Sequence, residues 1–305
     1  MAGTRLEQLE SYVLAVIENR ETGFGAAVLR VVLRQFSLLF EGVVQARLWL
    51  YRNGILRHQA LGCQVLSVGN LTVGGTGKTP VVEVFSRSLR DQGRKVAILS
   101  RGYKKDKPPL SRRLWYALTL SGKSNAPIVV SDGERVLRDS RQGGDEPYML
   151  ASNLPGVAVI VGKDRVRSGR YAIEKLGCDT LVLDDGFQYQ RLRHRLDVVL
   201  VDRTNPFGNG RLLPRGILRE PIRNVKRAGF IFLTKSSGDG AEALKAELRR
   251  YNPHAEITEC RHRSKYVQDV FSGEQKPLDF LAGRKVVALS GIARPTSFEE
   301  GLESH

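Results

Sequence analysis

The residues best suited to chemistry lie in the stretch SVGNLTVGGTGKTP, Ser67 to Pro80. Gly74, Gly75 and Gly77 allow a tight backbone through which main-chain N–H groups converge on an anion at a helix N-terminus, and Lys78 adds charge there. Thr79 supplies the hydroxyl that reaches Mg²⁺ in such loops. The preceding QVLSV reads as a strand and the following PVVEVFSRSLR as a helix, with Pro80 in its tolerated first turn. The general pattern G-x-x-x-x-G-K-[ST] requires glycine at position 72, where this chain carries Thr72. Only the outermost glycine is lost and the strand–loop–helix context is intact. Thr72, Val73, Gly74, Gly75, Thr76, Gly77, Lys78 and Thr79 are therefore expected to bind the phosphates of a nucleotide.

A second group follows from TLVLDDGFQYQ, Thr180 to Gln190, where a hydrophobic strand ends in paired carboxylates. In a parallel sheet the strand C-termini face the ligand crevice, so Asp184 and Asp185 are expected to emerge beside the phosphates as hard oxygen ligands for Mg²⁺. Which of them touches the ion is left open. In RQGGDEPYML, Asp145 and Glu146 stand behind paired glycines and before a proline, as at a helix start. Asp145 is either a cap or the group that takes the proton from an attacking hydroxyl. Two arginine runs, GKDRVRSGR (Arg165, Arg167, Arg170) and GRLLPRGILREP (Arg211, Arg215, Arg219, with Glu220), place guanidinium groups near strand ends, where they suit bidentate phosphate contacts. The five histidines show no metal-binding spacing, and Cys63, Cys178 and Cys260 form no C-x-x-C pair, so neither a zinc site nor a disulfide framework is expected.

These groups need a scaffold that presents several strand ends together. Apolar runs at Gln64–Val68, Lys95–Leu99, Pro127–Val130, Ala158–Val161, Thr180–Asp184, Asp197–Asp202, Phe230–Thr234, Ile257–Cys260 and Lys285–Leu289 alternate with helical patterns, among them Thr79–Gln92, Asp164–Leu176 and Ala241–Tyr251. That alternation predicts a doubly wound α/β fold with a mostly parallel sheet covered on both faces. The Lys-, Pro-, Ser- and Gly-rich segment 104–125 reads as an excursion from the sheet. Ahead of the sheet, AAVLRVVLRQFSLLFEGVVQARLWLY sets Arg30, Arg34, Ser37, Glu41 and Gln45 on one narrow polar stripe of an otherwise apolar helix. Such a helix is either buried or interfacial; Arg47, Trp49, Tyr51, Arg52 and Arg57 at its basic end suit a headgroup zone. No apolar run approaches the ~20 residues of a spanning helix. The 48 Lys and Arg against 32 Asp and Glu give a net charge of +16, which favours anionic partners.

Taken together, SVGNLTVGGTGKTP, ILSRGY, GDEP, KDR, LDDGFQ, GRLLPRGILREP and LSGIARP, in that order from about Val65 to Pro295, resemble the tetraacyldisaccharide 4′-kinases, the lipid A 4′-kinases of Gram-negative bacteria. The resemblance implies a P-loop kinase core at 58–235 and a smaller C-terminal lobe at 236–305 joined through a two-stranded linker. It also implies a membrane-associating helical segment at 1–57, tilting the N-terminal helix toward the interfacial alternative. The implied reaction moves the ATP γ-phosphate, with Mg²⁺, to the 4′-hydroxyl of an anionic glycolipid at the cytoplasmic face of the inner membrane. By motif, Asp145 is the implied base, Lys78 and Thr79 hold the phosphates and Mg²⁺, Asp184 and Asp185 organise the metal, and Arg165, Gln188, Arg219 and Glu220 line the site. The family continues past the G-I-A-R-P helix with an Asp-His motif whose histidine supports the base; none follows Pro295, so the sequence is expected to be a fragment.

A regulatory or targeting NTPase with protein partners is the alternative. Against it, Val73 stands where the deviant Walker loop carries its signature lysine, and Ser237 replaces the aspartate of a T-K-x-D guanine reader. A nucleic-acid-binding module has only the charge in its favour, so neither nucleic acid nor an obligate protein partner is expected.

Overall fold

The computed structural model describes residues 5–102, 126–236, 240–261, 264–290 and 295–303. The expected excursion at 104–125, Tyr103, Ser237 and residues 291–294 of LSGIARP lie outside them.

Helices α1 (Arg5–Ile17) and α2 (Phe24–Arg52) precede an eight-stranded sheet built from β1 (Gln64–Asn70), β2 (Val96–Ser100), β3 (Ile128–Asp132), β4 (Ala158–Val161), β5 (Thr180–Asp184), β6 (Leu196–Asp202), β7 (Phe230–Thr234) and β8 (Glu256–Glu259). The order across it is β3-β4-β2-β5-β1-β6-β7-β8, and every pairing is parallel except β3 with β4. Parallel strands need crossovers, and the helices α3 (Lys78–Asp91), α4 (Ser140–Gly143), α5 (Asp145–Asn153), α6 (Arg165–Leu176) and α7 (Glu242–Tyr251) supply most of them. β2, β4 and β5 are buried along their whole length, as the continuous apolar runs require of strands covered on both faces. One core beside α3 and α5 joins Val68, Val82, Ile98, Leu150 and Val182; another, on α6, joins Val65, Leu99, Ile160, Ala172 and Leu183. β8 lies beyond residue 235 and still pairs with β7, so the sheet runs across that boundary.

The last expected strand, Lys285–Leu289, is not one. Residues 284–290 have no regular structure, and Val287 and Leu289 are almost fully exposed. A β-branched run makes a strand only where another edge accepts its hydrogen bonds, and none of the described strands pairs with it. A short antiparallel ladder, β9 (Val267–Gln268) with β10 (Gln275–Lys276), precedes this segment, and α8 (Pro295–Glu303) follows it.

α2 is amphipathic in an inverted sense. Its polar stripe faces the protein: the Ser37 hydroxyl, 6% exposed, donates to the Leu212 carbonyl at 2.8 Å and accepts from the Arg215 N–H at 3.0 Å. Glu41 pairs with Arg223 at 2.6 Å, and the Gln45 amide donates to Asn224 at 3.3 Å. The opposite face presents Phe36, Leu39 and Val43 at 57, 66 and 60% exposure, with Val31 and Trp49 beside them. No described helix is long and apolar enough to cross a membrane.

Candidate active site

β1 lies between β5 and β6, so the loop leaving its C-terminal end opens beside the ends of both neighbours. Within that loop Gly74 has φ 109° and Gly77, capping α3, has φ 77°, values that favour glycine and turn the backbone toward the helix N-terminus. Thr72 has a use of its own. It forms an antiparallel bridge with Leu218, while Val73 N–H donates to the Ile217 carbonyl at 2.8 Å and Arg219 N–H to the Leu71 carbonyl at 2.7 Å. An extended residue fits that bridge better than glycine does, and the bridge carries Arg219 to the loop.

Asn70, the last residue of β1, is the hub. Its side-chain amide donates to Thr76 Oγ1 at 2.9 Å, its Oδ1 accepts from Lys78 Nζ at 3.2 Å, and its carbonyl accepts from Gln188 at 2.9 Å and Arg219 at 3.1 Å. On the far side of the loop, Thr234 Oγ1 donates to the Thr76 carbonyl at 3.0 Å. Lys235, paired with Asp202 at 2.6 Å, reaches the Gly75 carbonyl at 3.4 Å.

The carboxylates have separate environments. Asp185, held at φ 56°, receives a bidentate pair from Arg219 at 2.8 Å each and lies 3.7 Å from Lys78 Nζ. Burial opposes its ionisation, but the Arg219 hydrogen bonds and the Arg219 and Lys78 charges outweigh that and hold it below the ordinary value. Asp184 is buried, and among the described residues its one side-chain hydrogen bond comes from Ser100 Oγ at 3.2 Å. Burial, then the charges of Asp185 and Glu146, push its pKa up to about 6. A buried carboxylate crowded by like charge is a site that a cation would relieve. Mg²⁺ is commonly bound by one or two carboxylates together with substrate phosphates, and Asp184 and Asp185 are the carboxylates beside this loop.

Asp145 is the first residue of α5, and Gly144, at φ 98°, takes the cap position without any side-chain hydrogen bond. The cap reading therefore does not describe Asp145, whose side chain is exposed and free to meet a ligand. Its neighbour Glu146 reaches Asp184 electrostatically, so this helix start opens on the same crevice. Arg165 is 5% exposed, its guanidinium 5.1 Å from the centre of the Tyr189 ring, and burial lowers its pKa. Asp164 caps α6 by accepting from Val166 and Arg167 N–H groups, and Tyr189 Oη accepts from Arg165 N–H at 3.0 Å.

Several arginines do other work. Arg215 donates to the Ile17 carbonyl at 2.8 Å and to Asn19, tying α1 to the 211–220 segment, and Arg170 donates to Gln59 at 3.3 Å. Arg167 points to solvent, so of the arginine runs only Arg165 and Arg219 reach the carboxylates. Glu220, 2% exposed, turns inward to Arg227 and Asn224.

The family model described as tetraacyldisaccharide-1-P 4′-kinase matches residues 29–305. The chain belongs to the tetraacyldisaccharide 4′-kinase family. The tetraacyldisaccharide 4′-kinase of Halothermothrix orenii is 34% identical over 99% of this chain and 78% of its own length, and that of Syntrophus aciditrophicus is 39% identical over 90% and 71%. The crystal structure of LpxK from Aquifex aeolicus, in complex with ATP, is 33% identical with a TM-score of 0.68, covering 90% of this chain and 78% of that one. The doubly wound α/β fold expected from the strand–helix alternation, with the P-loop core that the resemblance implies, is therefore the fold this chain shares with that structure.

Asn70, Ser100, Tyr189, Thr234 and Lys235 also belong to the cluster, and neither their residue type nor their spacing marks them for it. Asn70 sits inside the phosphate-loop motif, but only the structure reveals its bonds to Thr72, Thr76, Lys78, Gln188 and Arg219.

The raised pKa of Asp184 has a measurable consequence. In the ion-free protein the folded state binds this proton more tightly than the unfolded chain, so stability rises as pH falls from about 6 toward the ordinary value of 3.8. The full gain is on the order of 3 kcal/mol. The depressed carboxylates Asp164, Asp185 and Asp202 act with opposite sign, losing their contribution only as pH falls through their lower folded values. Thermal unfolding without Mg²⁺ should show a gain in Tm between pH 7 and 5 that is absent in Asp184→Asn; an equal gain in that variant would assign the effect elsewhere.

Proposed function

We propose that this protein transfers the γ-phosphate of MgATP to the 4′-hydroxyl of a tetraacylated glucosamine disaccharide 1-phosphate, giving lipid IV-A in lipid A biosynthesis. The observation that carries the reading is the convergence of the Thr72–Thr79 loop, Lys78, Arg219, Asp184 and Asp185 at neighbouring strand ends of a chain in this family. Loop N–H groups and Lys78 hold the β- and γ-phosphates, and Arg165 and Arg219 add planar donors for the oxygens that gain charge as the phosphoryl group moves. The substrate oxygen bonds to the γ-phosphorus as the bond to the β-bridging oxygen breaks. Asp145 accepts the hydroxyl proton, and ADP leaves. Mg²⁺, when bound, neutralises phosphate charge. Asp184, whose carboxylate accepts from Ser100 and is not paired with a guanidinium as Asp185 is, would offer the ion a carboxylate oxygen, and Thr79 would add a hydroxyl. Label from γ-phosphate-labelled ATP should appear in the lipid; release only as inorganic phosphate would favour a regulatory NTPase.

We place the membrane-associating segment at 1–57 and extend the kinase core from 58 past residue 235 through β8, because β8 pairs with β7; the C-terminal lobe follows it. The outward apolar face of α2 supports docking at the cytoplasmic face of the inner membrane, because a patch of that extent is otherwise left to water. Exposed basic residues of the helix such as Arg47 add roughly 1 kcal/mol each near an anionic leaflet. Leu39→Glu/Val43→Glu should remove most sedimentation with phosphatidylglycerol-containing vesicles while leaving ATP affinity unchanged. Undiminished sedimentation would contradict the docking face.

A further inference from the structure

Two dipeptides flank the loop, and each sends one member to the site and the other inward. Gln188 and Arg219 both donate to the Asn70 carbonyl. Their neighbours Phe187 and Glu220 converge on Arg227. Its guanidinium donates to the two Glu220 oxygens at 2.7 and 3.1 Å and to the Phe187 carbonyl at 3.2 Å, and lies 4.1 Å from the centre of the Phe187 ring. Phe187 is fully buried and wedged against β1: a methyl group on Gly69 would come within 2.7 Å of Phe187 Cβ, one residue ahead of Asn70. Asn224 donates to Glu220 at 2.8 Å and accepts from Gln45, which anchors the assembly to α2.

Stability does not account for this arrangement. A buried ion pair is on balance no more stabilising than hydrocarbon of the same volume. What a forked guanidinium does that hydrocarbon cannot is hold separate chain segments in one fixed relation. Here the segments carry Gln188 and Arg219.

We propose that Arg227 is a positioning residue for phosphoryl transfer, fixing through Phe187 and Glu220 where Gln188 and Arg219 stand over the phosphate loop. The inference rests on the reading of that loop as the ATP site. Arg227 touches neither the loop nor the carboxylate pair, so it acts only through its partners.

The test is a double-variant cycle on lipid phosphorylation. Arg227→Lys keeps the charge and loses the fork; it should lower kcat on the order of 10- to 100-fold, the usual loss when a supporting partner of a site group is removed. If Arg227 acts through Arg219, the double variant Arg227→Lys/Arg219→Lys should retain far more activity than the product of the single losses predicts. Losses that multiply to within about twofold would show independent, merely structural effects and overturn the proposal. Glu220→Gln keeps the volume and removes the ion pair; it repeats the cycle should Arg227→Lys fail to fold, with the same outcomes. A wild-type protein without transferase activity would instead fail the underlying reading, whereas an active wild type with multiplying losses fails this inference alone.

Discussion

Lys78→Ala should lose lipid phosphorylation by on the order of 10²- to 10³-fold, the scale seen when a preorganised electrostatic contact to developing charge is removed. Lys78 Nζ lies 3.2 Å from Asn70 Oδ1 and 3.7 Å from Asp185 Oδ1, with its side chain 19% exposed, so the ammonium is already poised inside the loop. Without it the loop keeps its N–H donors but no full positive charge of its own, and Arg219 remains drawn to Asp185. Both ATP affinity and kcat should fall, because the lysine touches phosphate in the ground and transition states alike. Product formation undiminished in Lys78→Ala would remove the phosphate-loop assignment. Chromatographic quantitation of the lipid product at saturating ATP measures this directly.

Asp145→Asn should separate chemistry from binding. Asparagine keeps the size of the side chain and can sit at the first position of α5, so the helix start should survive with a cost of roughly 0.3–1 kcal/mol from the lost interaction with the helix dipole. What it cannot do is take a proton. The expected result is a fall in kcat on the order of 10²- to 10⁴-fold with near-normal ATP binding. A parallel loss of ATP affinity would mean that Asp145 shapes the crevice rather than serving the acceptor hydroxyl.

Much of the architecture is legible in the sequence because its signals are local. The strands Ala158–Val161, Thr180–Asp184 and Phe230–Thr234 fall where the apolar runs place them, and α3 and α6 begin within a residue of the expected positions. Lys285–Leu289 has a similar composition but pairs with none of the described strands, and pairing is not a property of the segment itself. The polar stripe of α2 is visible as a period of three and four, yet the sequence does not say which face meets the protein; the bonds of Ser37, Glu41 and Gln45 decide that. Asp184 and Asp185 look alike as a pair, and only the reach of Arg219 from a segment 34 residues on tells them apart. The same holds for the arginine runs: Arg215 and Arg219 lie on one loop, but the Thr72–Leu218 bridge turns the latter to the site, while Arg215 is taken up by the end of α1.

On the proposed reading, the crevice at the end of β1 passes a phosphoryl group to a lipid alcohol. The most direct measurement is mass spectrometry and ³¹P NMR of the lipid recovered after incubating the purified protein with MgATP and the tetraacylated disaccharide 1-phosphate in mixed micelles. The prediction is a product heavier by one phosphate, carried at the 4′ position, formed in step with ADP. Recovery of the substrate unchanged while ATP is bound or hydrolysed, or a phosphate placed elsewhere on the sugar, would contradict it.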